Sequence, residues 1–470
     1  MESLVYEEEQ NKDGLPVLAL RARIQHALNA IHGLTLLREV PRDSASVAVL
    51  QLLHTLAMPQ PDAATIASAY SLAFRELAAL VNEGTTPDLT DAWQAVLAAR
   101  LLADRNPWSE QVERVGSARV SPTLRAQAQR DLHALQQLFQ LDSTMLLDGV
   151  KTLVTPALPA LRDSWLPWHD LAARPAKTGQ ALHTRDVLSA RMLACTDWSE
   201  LIEPLEQHWT LHGTGSQAHY YALRWHALEQ KLIGIAHPDA VQLLSLVGQQ
   251  GQQGRLRQNI TRFLAGLPAQ DMLLYGPPGT GKSSTLKALV NAYVEQGLRL
   301  VEVQKEDIGD LLSVVEQLGK RAPHYLLCID DLSFEDHETN YKALKVVLEG
   351  TAQARPANVL ICATSNRLNL IRENFSERGQ PSEDVNWRDT MDEKQALAHR
   401  FGLRVTFMSP DQRQYLNIVE TLARLRGLEL PTETLQQRAL RWERQHPGRS
   451  GRTARQFIDD LEAESKVSNL

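Results

Sequence analysis

The chain has 470 residues, more than one ordinary core accommodates, so two to four domains are expected. Hydrophobic residues make up 43% and charged residues 22%, a globular profile, and a net charge of -7 excludes a global field for nucleic acid. Cys195, Cys328 and Cys362 show no metal-binding spacing and suit a reducing cytoplasm. The acidic opening MESLVYEEEQ has no signal core, and no apolar run reads as long enough to span a bilayer.

From residue 17 to about 208 the sequence reads as helices. Apolar residues recur at i, i+3, i+4 spacing over 18–34, 63–82, 89–104 and 122–141, with stops at Gly84 and Asn106-Pro107. This half offers no chemistry. Trp165, Trp168, Trp198, Trp209 and Trp225 read as core packing rather than as partner anchors. Gly213, Gly215 and Ser216 mark a turn that lacks the lysine of a phosphate loop, and a helix carrying Tyr220, Tyr221 and Trp225 is expected after it. The boundary between the halves is placed here, giving a mainly helical domain over 1–236.

After Pro238 strand and helix alternate, which argues for a parallel α/β sheet. Strands are expected at 271–275, 298–303, 325–330, 358–364 and 403–407, and helices at 281–296, 306–321 and 339–352. The stretch DMLLYGPPGTGKSS reads as strand, glycine-rich turn and helix start. Gly276, Gly281, Lys282 and Ser283 fit the phosphate-loop pattern. Gly276, Gly279 and Gly281 permit positive φ, so in the loop that runs from Gly276 past Pro277 and Pro278, which carry no N–H, and through Thr280 to Ser284, the N–H groups present can turn toward a phosphate chain. Lys282 is placed for the β- and γ-phosphates of ATP and Ser283 for Mg²⁺.

In YLLCIDD an apolar run ends in two carboxylates at the edge of the sheet where ligands bind. Asp330 is placed to hold Mg²⁺ and Asp331 to polarise the attacking water. Asn366 ends the neighbouring run NVLICATSN, placed to orient that water or bond the γ-phosphate. Arg400, in AHRFG, has two readings: a finger reaching ATP on another subunit, or a surface ion pair. Arg449, Arg452 and Arg455 lie in RSGRTARQF; either Arg452 or Arg455 senses the γ-phosphate, or the cluster is a basic or solvated face.

The ordered set GPPGTGKS, LLCIDD, ATSN, HRFG and GRTAR resembles the AAA+ ATPase core, matching its Walker A, Walker B, sensor 1, arginine finger and sensor 2. Arg455 fits the sensor-2 form better than Arg452. Val247 and Gly248, in LSLVGQQ, resemble the segment that packs on adenine. The whole run also resembles a bacterial P-loop family of unknown function over roughly 240–470. The resemblance implies an α/β core over 237–408 with a five-stranded parallel sheet in the order 5-1-4-3-2, and a helical lid over 409–470. It implies nucleotide-dependent homo-oligomers, Mg²⁺-dependent ATP hydrolysis and remodelling of an unidentified protein client. Asp331 stands where the AAA+ pattern usually has glutamate, one methylene longer, and Glu335 is the candidate substitute base. A charged insert over 367–393 reads as a surface loop. Two further readings remain: a nucleotide-gated scaffold with little hydrolysis, and a loader at nucleic acid, which the charge does not advertise.

Overall fold

The computed structural model of the chain describes residues 2–82, 86–161, 163–171, 183–334, 341–349, 355–367, 370, 397–446 and 448–467. Gly84, Glu335 and nearly all of the 367–393 insert fall outside the described residues. The chain divides into two compact units, one ending at His219 and the other running from Tyr220 to Leu470.

The first unit is helical: α1 (Glu2–His32), α2 (Ser44–Ala57), α3 (Ala63–Asn82), α4 (Ala92–Ala103), α5 (Pro107–Val115), α6 (Pro122–Phe139), α7 (Ser143–Val154), α8 (His183–Ala194) and α9 (Ile202–His212). The four periodic stretches of the sequence each lie on a helix. Asn106-Pro107 starts α5 as well as following α4. The Asn106 side chain accepts from the Trp108 and Ser109 N–H groups, with proline in the first turn. Among the described helices only α3 is long and apolar enough to cross a membrane by length and composition, contrary to the expectation above. Its Ile66, Tyr70, Ala73 and Leu77 are buried in this unit's core. Trp168, Trp198 and Trp209 are likewise buried there. The Glu206 carboxylate is fully buried and accepts from Arg125 Nε at 2.8 Å, Arg125 Nη2 at 2.6 Å and Trp108 Nε1 at 2.9 Å.

The second unit is built on a seven-stranded sheet, β1 (Ala222–His226), β2 (Lys231–Gly234), β3 (Met272–Tyr275), β4 (Leu298–Val303), β5 (His324–Ile329), β6 (Val359–Ser365) and β7 (Leu403–Thr406), in the order β2-β1-β4-β5-β6-β3-β7. The five strands from β3 to β7 are parallel and adjoin in the order 5-1-4-3-2 when renumbered from the phosphate-loop strand. Sequential residues alternate between two apolar layers. Leu273, Leu327 and Ile361 face the layer holding α12 (Leu311–Leu318) and α13 (Tyr341–Glu349). Met272, Leu274, Leu326 and Leu360 face the layer holding α10 (Gln250–Leu264) and α11 (Lys282–Tyr293). Strands covered on both faces read as continuous apolar runs, which is why they were legible.

The helix expected over Tyr220–Trp225 is instead strand β1, and the sheet therefore has seven strands rather than five. Leu223 and Trp225 alternate with Ala222 and Arg224 at the strand period. β1 runs parallel to β4 and antiparallel to β2, and Trp225 Nε1 donates to Asp310 Oδ2 at 3.0 Å. The expected break at 236 thus lies beyond these strands, inside the second unit. The last three helices, α14 (Gln412–Leu425), α15 (Thr432–Gln445) and α16 (Gly451–Val467), enclose a separate apolar cluster around Tyr415, Val419, Ala439 and Ile458.

Glu206→Ala leaves the buried Trp108 N–H and one face of Arg125 without their carboxylate. It should destabilise the first unit by about 1–3 kcal/mol, the usual result of leaving a buried donor unsatisfied, since Arg125 is partly exposed and can be rehydrated. Chemical denaturation of the wild-type and variant chains measures the difference.

Candidate nucleotide and metal site

The loop between β3 and α11 has the backbone its glycines foretell. Gly276, Gly279 and Gly281 all take positive φ, at 147°, 78° and 93°. A Cβ on Gly276 would sit 1.9 Å from the Phe407 carbonyl oxygen, so only glycine fits there. The Gly276 N–H donates to Ser365 O at 3.2 Å, which ties the loop to the end of β6. Lys282 opens α11 and folds back over the loop. Its Nζ donates to Gly276 O at 2.7 Å, Pro277 O at 3.0 Å and Asn366 Oδ1 at 3.0 Å. The side chain is buried, and that burial lowers its pKa. Asp331 and Asp330 pull the other way, and Arg452 adds to the lowering.

Beside this lysine the ends of β5 and β6 bring the carboxylates together. Ser283 Oγ donates to Asp330 Oδ1 at 2.6 Å, and Thr364 Oγ1 donates to the same oxygen. The Asp331 N–H donates to Thr364 Oγ1 at 2.9 Å, and Asn366 Nδ2 donates to Asp331 Oδ1 at 2.7 Å. Asn366 therefore links Lys282 to Asp331 through the two ends of one amide. Ser283 and Asp330 offer two hard oxygen ligands in contact, a pair that fits Mg²⁺ with water completing its shell. Ser283, Asp330 and Asp331, with Glu302, Lys305 and Glu306, line a cavity of about 390 Å³.

Gln249 and Thr364 are the residues that sequence reasoning missed. Gln249 Nε2 donates to Thr280 O at 2.6 Å, and its Oε1 accepts from Thr285 Oγ1 at 3.0 Å. It clamps the loop to α11. Its only signal was its place directly after Val247 and Gly248. Gly248 has φ of 80°, and Val247 packs against the cluster of the last three helices. Those helices also reach the loop directly: the Arg452 N–H donates to Gly279 O at 3.3 Å. Of the two candidate sensor arginines, Arg452 is the one whose charge lowers the Lys282 pKa. Arg455 lies half-buried on the same helix, and Arg449 pairs with Glu443 at 3.4 Å. Arg400 is engaged within its own chain, its Nε donating to Glu349 Oε1 at 2.7 Å.

Five parallel strands with the phosphate-loop strand between β6 and β7, two carboxylates ending β5, and a helical lid touching the loop make up the AAA+ fold of P-loop proteins. Residues 218–465, more than half of the chain, match the family described as "protein of unknown function (DUF815)", and the chain belongs to that family. No curated protein matches it. Among solved structures it is similar to the Thermotoga maritima RuvB Holliday junction branch migration motor, at 16% identity and a TM-score of 0.35, over 49% of this chain and 66% of that one. It is also similar to the FIGL-1 AAA domain in complex with ADP, at 19% identity and a TM-score of 0.32, over 46% of this chain and 70% of that one. The chain thus spans just under two thirds of the RuvB structure's length, and at these scores neither likeness adds weight to the geometry.

Gln249→Ala removes both ends of the loop clamp. ATP affinity should fall about tenfold, the effect of losing roughly 1.4 kcal/mol of hydrogen bonding. Isothermal calorimetry on the wild type and the variant reads the change.

Proposed function

We propose that the chain is a cytoplasmic, Mg²⁺-dependent ATPase that works as a homo-oligomer and couples hydrolysis to remodelling of a macromolecular partner, a protein client being the expected kind. The observation that carries this reading is the hydrogen-bonded path Lys282–Asn366–Asp331 lying against the Ser283–Asp330 pair. In this proposal Lys282 is the phosphate-binding cation, Asn366 the water-positioning amide, Asp331 the base and Ser283 with Asp330 the metal-binding pair, roles supported by the hydrogen bonds that join them. The free thiols of Cys195, Cys328 and Cys362 accord with a reducing compartment.

In this reading ATP displaces the loop carbonyls from Lys282, whose Nζ then meets the β- and γ-phosphates. The N–H groups of the loop and the first turn of α11 add their dipoles. Ser283 and Asp330 would hold Mg²⁺, which would supply positive charge against that of the phosphate chain. Asp331 accepts a proton from the attacking water, and Asn366 holds both partners in line. Arg452, whose charge bears on Lys282, is the preferred lid sensor, with Arg455 the second candidate on that helix.

Arg400 serves the γ-phosphate of a neighbouring subunit once assembly draws it from Glu349. A finger in trans stabilises transition-state charge and is worth about 10³–10⁵ in rate. A second reading, a nucleotide-gated scaffold with slow turnover, draws on the short Asp331 side chain, which is already bonded to Asn366.

Two experiments test this. Lys282→Ala should abolish ATP binding by calorimetry. Arg400→Ala should retain binding and lose turnover, and mixing the two variants should restore part of the activity. A chain that stays monomeric with ATP, or turns over at a rate independent of its concentration, removes the trans role. Separately, Asp331→Asn should keep ATP binding and slow hydrolysis by about 10²-fold or more, a general-base loss. Binding without wild-type turnover selects the scaffold.

A further inference from the structure

Asp331 has a backbone that its sequence gives no hint of. Its φ is +50°, in the left-handed region, although it is neither glycine nor in a glycine-rich turn. L-residues other than glycine rarely adopt that conformation, and aspartate and asparagine tolerate it best. Such an outlier persists only where the surroundings over-determine it. Here the N–H groups of Asp331 and Leu332 are both held by one residue on the adjoining strand. Thr364 takes the Asp331 N–H on its hydroxyl at 2.9 Å and the Leu332 N–H on its own carbonyl at 2.7 Å. The same hydroxyl spends its proton on Asp330 Oδ1. Thr364 is buried in the last turns of β6, two residues before Asn366.

We infer that Thr364 is a positioning residue that sets both carboxylates: through one hydroxyl it fixes the Asp330 side chain beside Ser283 and bends the chain at Asp331 into the left-handed turn that presents the latter's carboxylate to Asn366. This rests on the roles proposed above for Asp330 and Asp331. It also accounts for aspartate at position 331. The left-handed turn leaves the strand at once, and the Asp331 carboxylate meets Asn366 at 2.7 Å without the extra methylene of glutamate. A β-branched threonine is suited to the work, because its χ1 is stiff and the strand holds its backbone. A hydroxyl that both donates and accepts is required, since one partner is a carboxylate and the other an N–H.

The test uses Thr364→Val, which keeps the shape and removes the hydroxyl, and Thr364→Ser, which keeps the hydroxyl. Both full-length variants are first checked for wild-type-like melting. The valine variant should bind ATP with near wild-type affinity, lose about 10- to 100-fold in kcat with little change in KM, and need more Mg²⁺ for half-maximal nucleotide affinity. The serine variant should recover most of kcat and the wild-type Mg²⁺ dependence. If valine does not fold, Thr364→Ala removes the same hydroxyl with less crowding. A hydroxyl-free variant with wild-type kcat and Mg²⁺ dependence overturns the inference. So does a folded serine variant as impaired as valine. Failure of the wild type to bind ATP would instead overturn the reading of the site as a nucleotide site. Where the wild type binds but does not turn over, the Mg²⁺ titration decides: an unchanged Mg²⁺ dependence in the valine variant overturns the role. Asp331→Glu, placing the longer acid on the left-handed backbone, should lower turnover; a rise above wild type overturns the account of that turn.

Discussion

Lys282 is a buried cation held by two loop carbonyls and one amide, and the rest of the site is arranged around keeping it there. A lysine at this depth loses hydration, and burial accordingly lowers its pKa. Three things offset the loss. The carbonyls of Gly276 and Pro277 turn inward only because the loop takes positive φ at three glycines. Asn366 supplies a third acceptor from a different strand. Asp331 and Asp330 supply negative charge from a third strand end. No single segment of sequence could provide this set. It needs β3, β6 and β5 side by side with their carboxyl ends level, which the parallel register delivers.

The same register explains how the site is connected to the remainder of the second unit. Loop, lid and sheet meet at two backbone–backbone contacts, Gly276 with Ser365 and Gly279 with Arg452, and the Gln249 side chain holds the loop at Thr280 O. The residues on either side of Gly248 divide their loyalties. Val247 packs with the lid cluster, while Gln249 grips the loop. A glycine at positive φ separates them. Any change in the loop that alters the grip of Gln249 is therefore one flexible residue away from the lid. Arg452 touches the loop from the other direction, through its backbone N–H and through its charge. The lid thus meets the phosphate loop directly at Gly279 and indirectly through the Val247–Gln249 segment.

How much of this could be read from the sequence depends on how local its causes are. The phosphate loop was legible because its glycines, lysine and serine are neighbours whose roles follow from their own backbone. Asp330, Asp331 and Asn366 were legible because buried parallel strands are continuous apolar runs, and the polar residue that ends one must lie at the sheet edge. Thr364 was not, since its partners lie 33 and 34 residues away and meet it only through strand pairing. Strand β1 was missed for a similar reason. Five residues containing two ring-bearing positions fit either period locally, and only pairing with β4 decides for strand. Asn106 was read as a stop, whereas its side chain makes it the cap of the next helix. Arg400 shows the opposite limit. The motif foretold an arginine before the last strand, and the single chain occupies it with Glu349, so its alternative use depends on a second chain.

The aspartate at position 331 deserves to be understood through its backbone rather than through its side-chain length. Judged by length alone, a shorter acid in place of glutamate looks like a loss of catalytic reach. That judgement assumes the two acids hang from the same backbone, and in this chain the backbone turns left-handed immediately after Asp330. The turn changes the starting point and direction of the side chain together. From there the shorter acid already lies in hydrogen-bond contact with Asn366, and through it with Lys282. A longer side chain at the same φ would have to fold back, and glutamate lacks the local hydrogen bonding that lets aspartate tolerate the left-handed region. Side chain and backbone at this position are thus matched to each other, and Thr364 is the residue that couples them. In this chain the shorter acid is matched by a hydroxyl on the neighbouring strand.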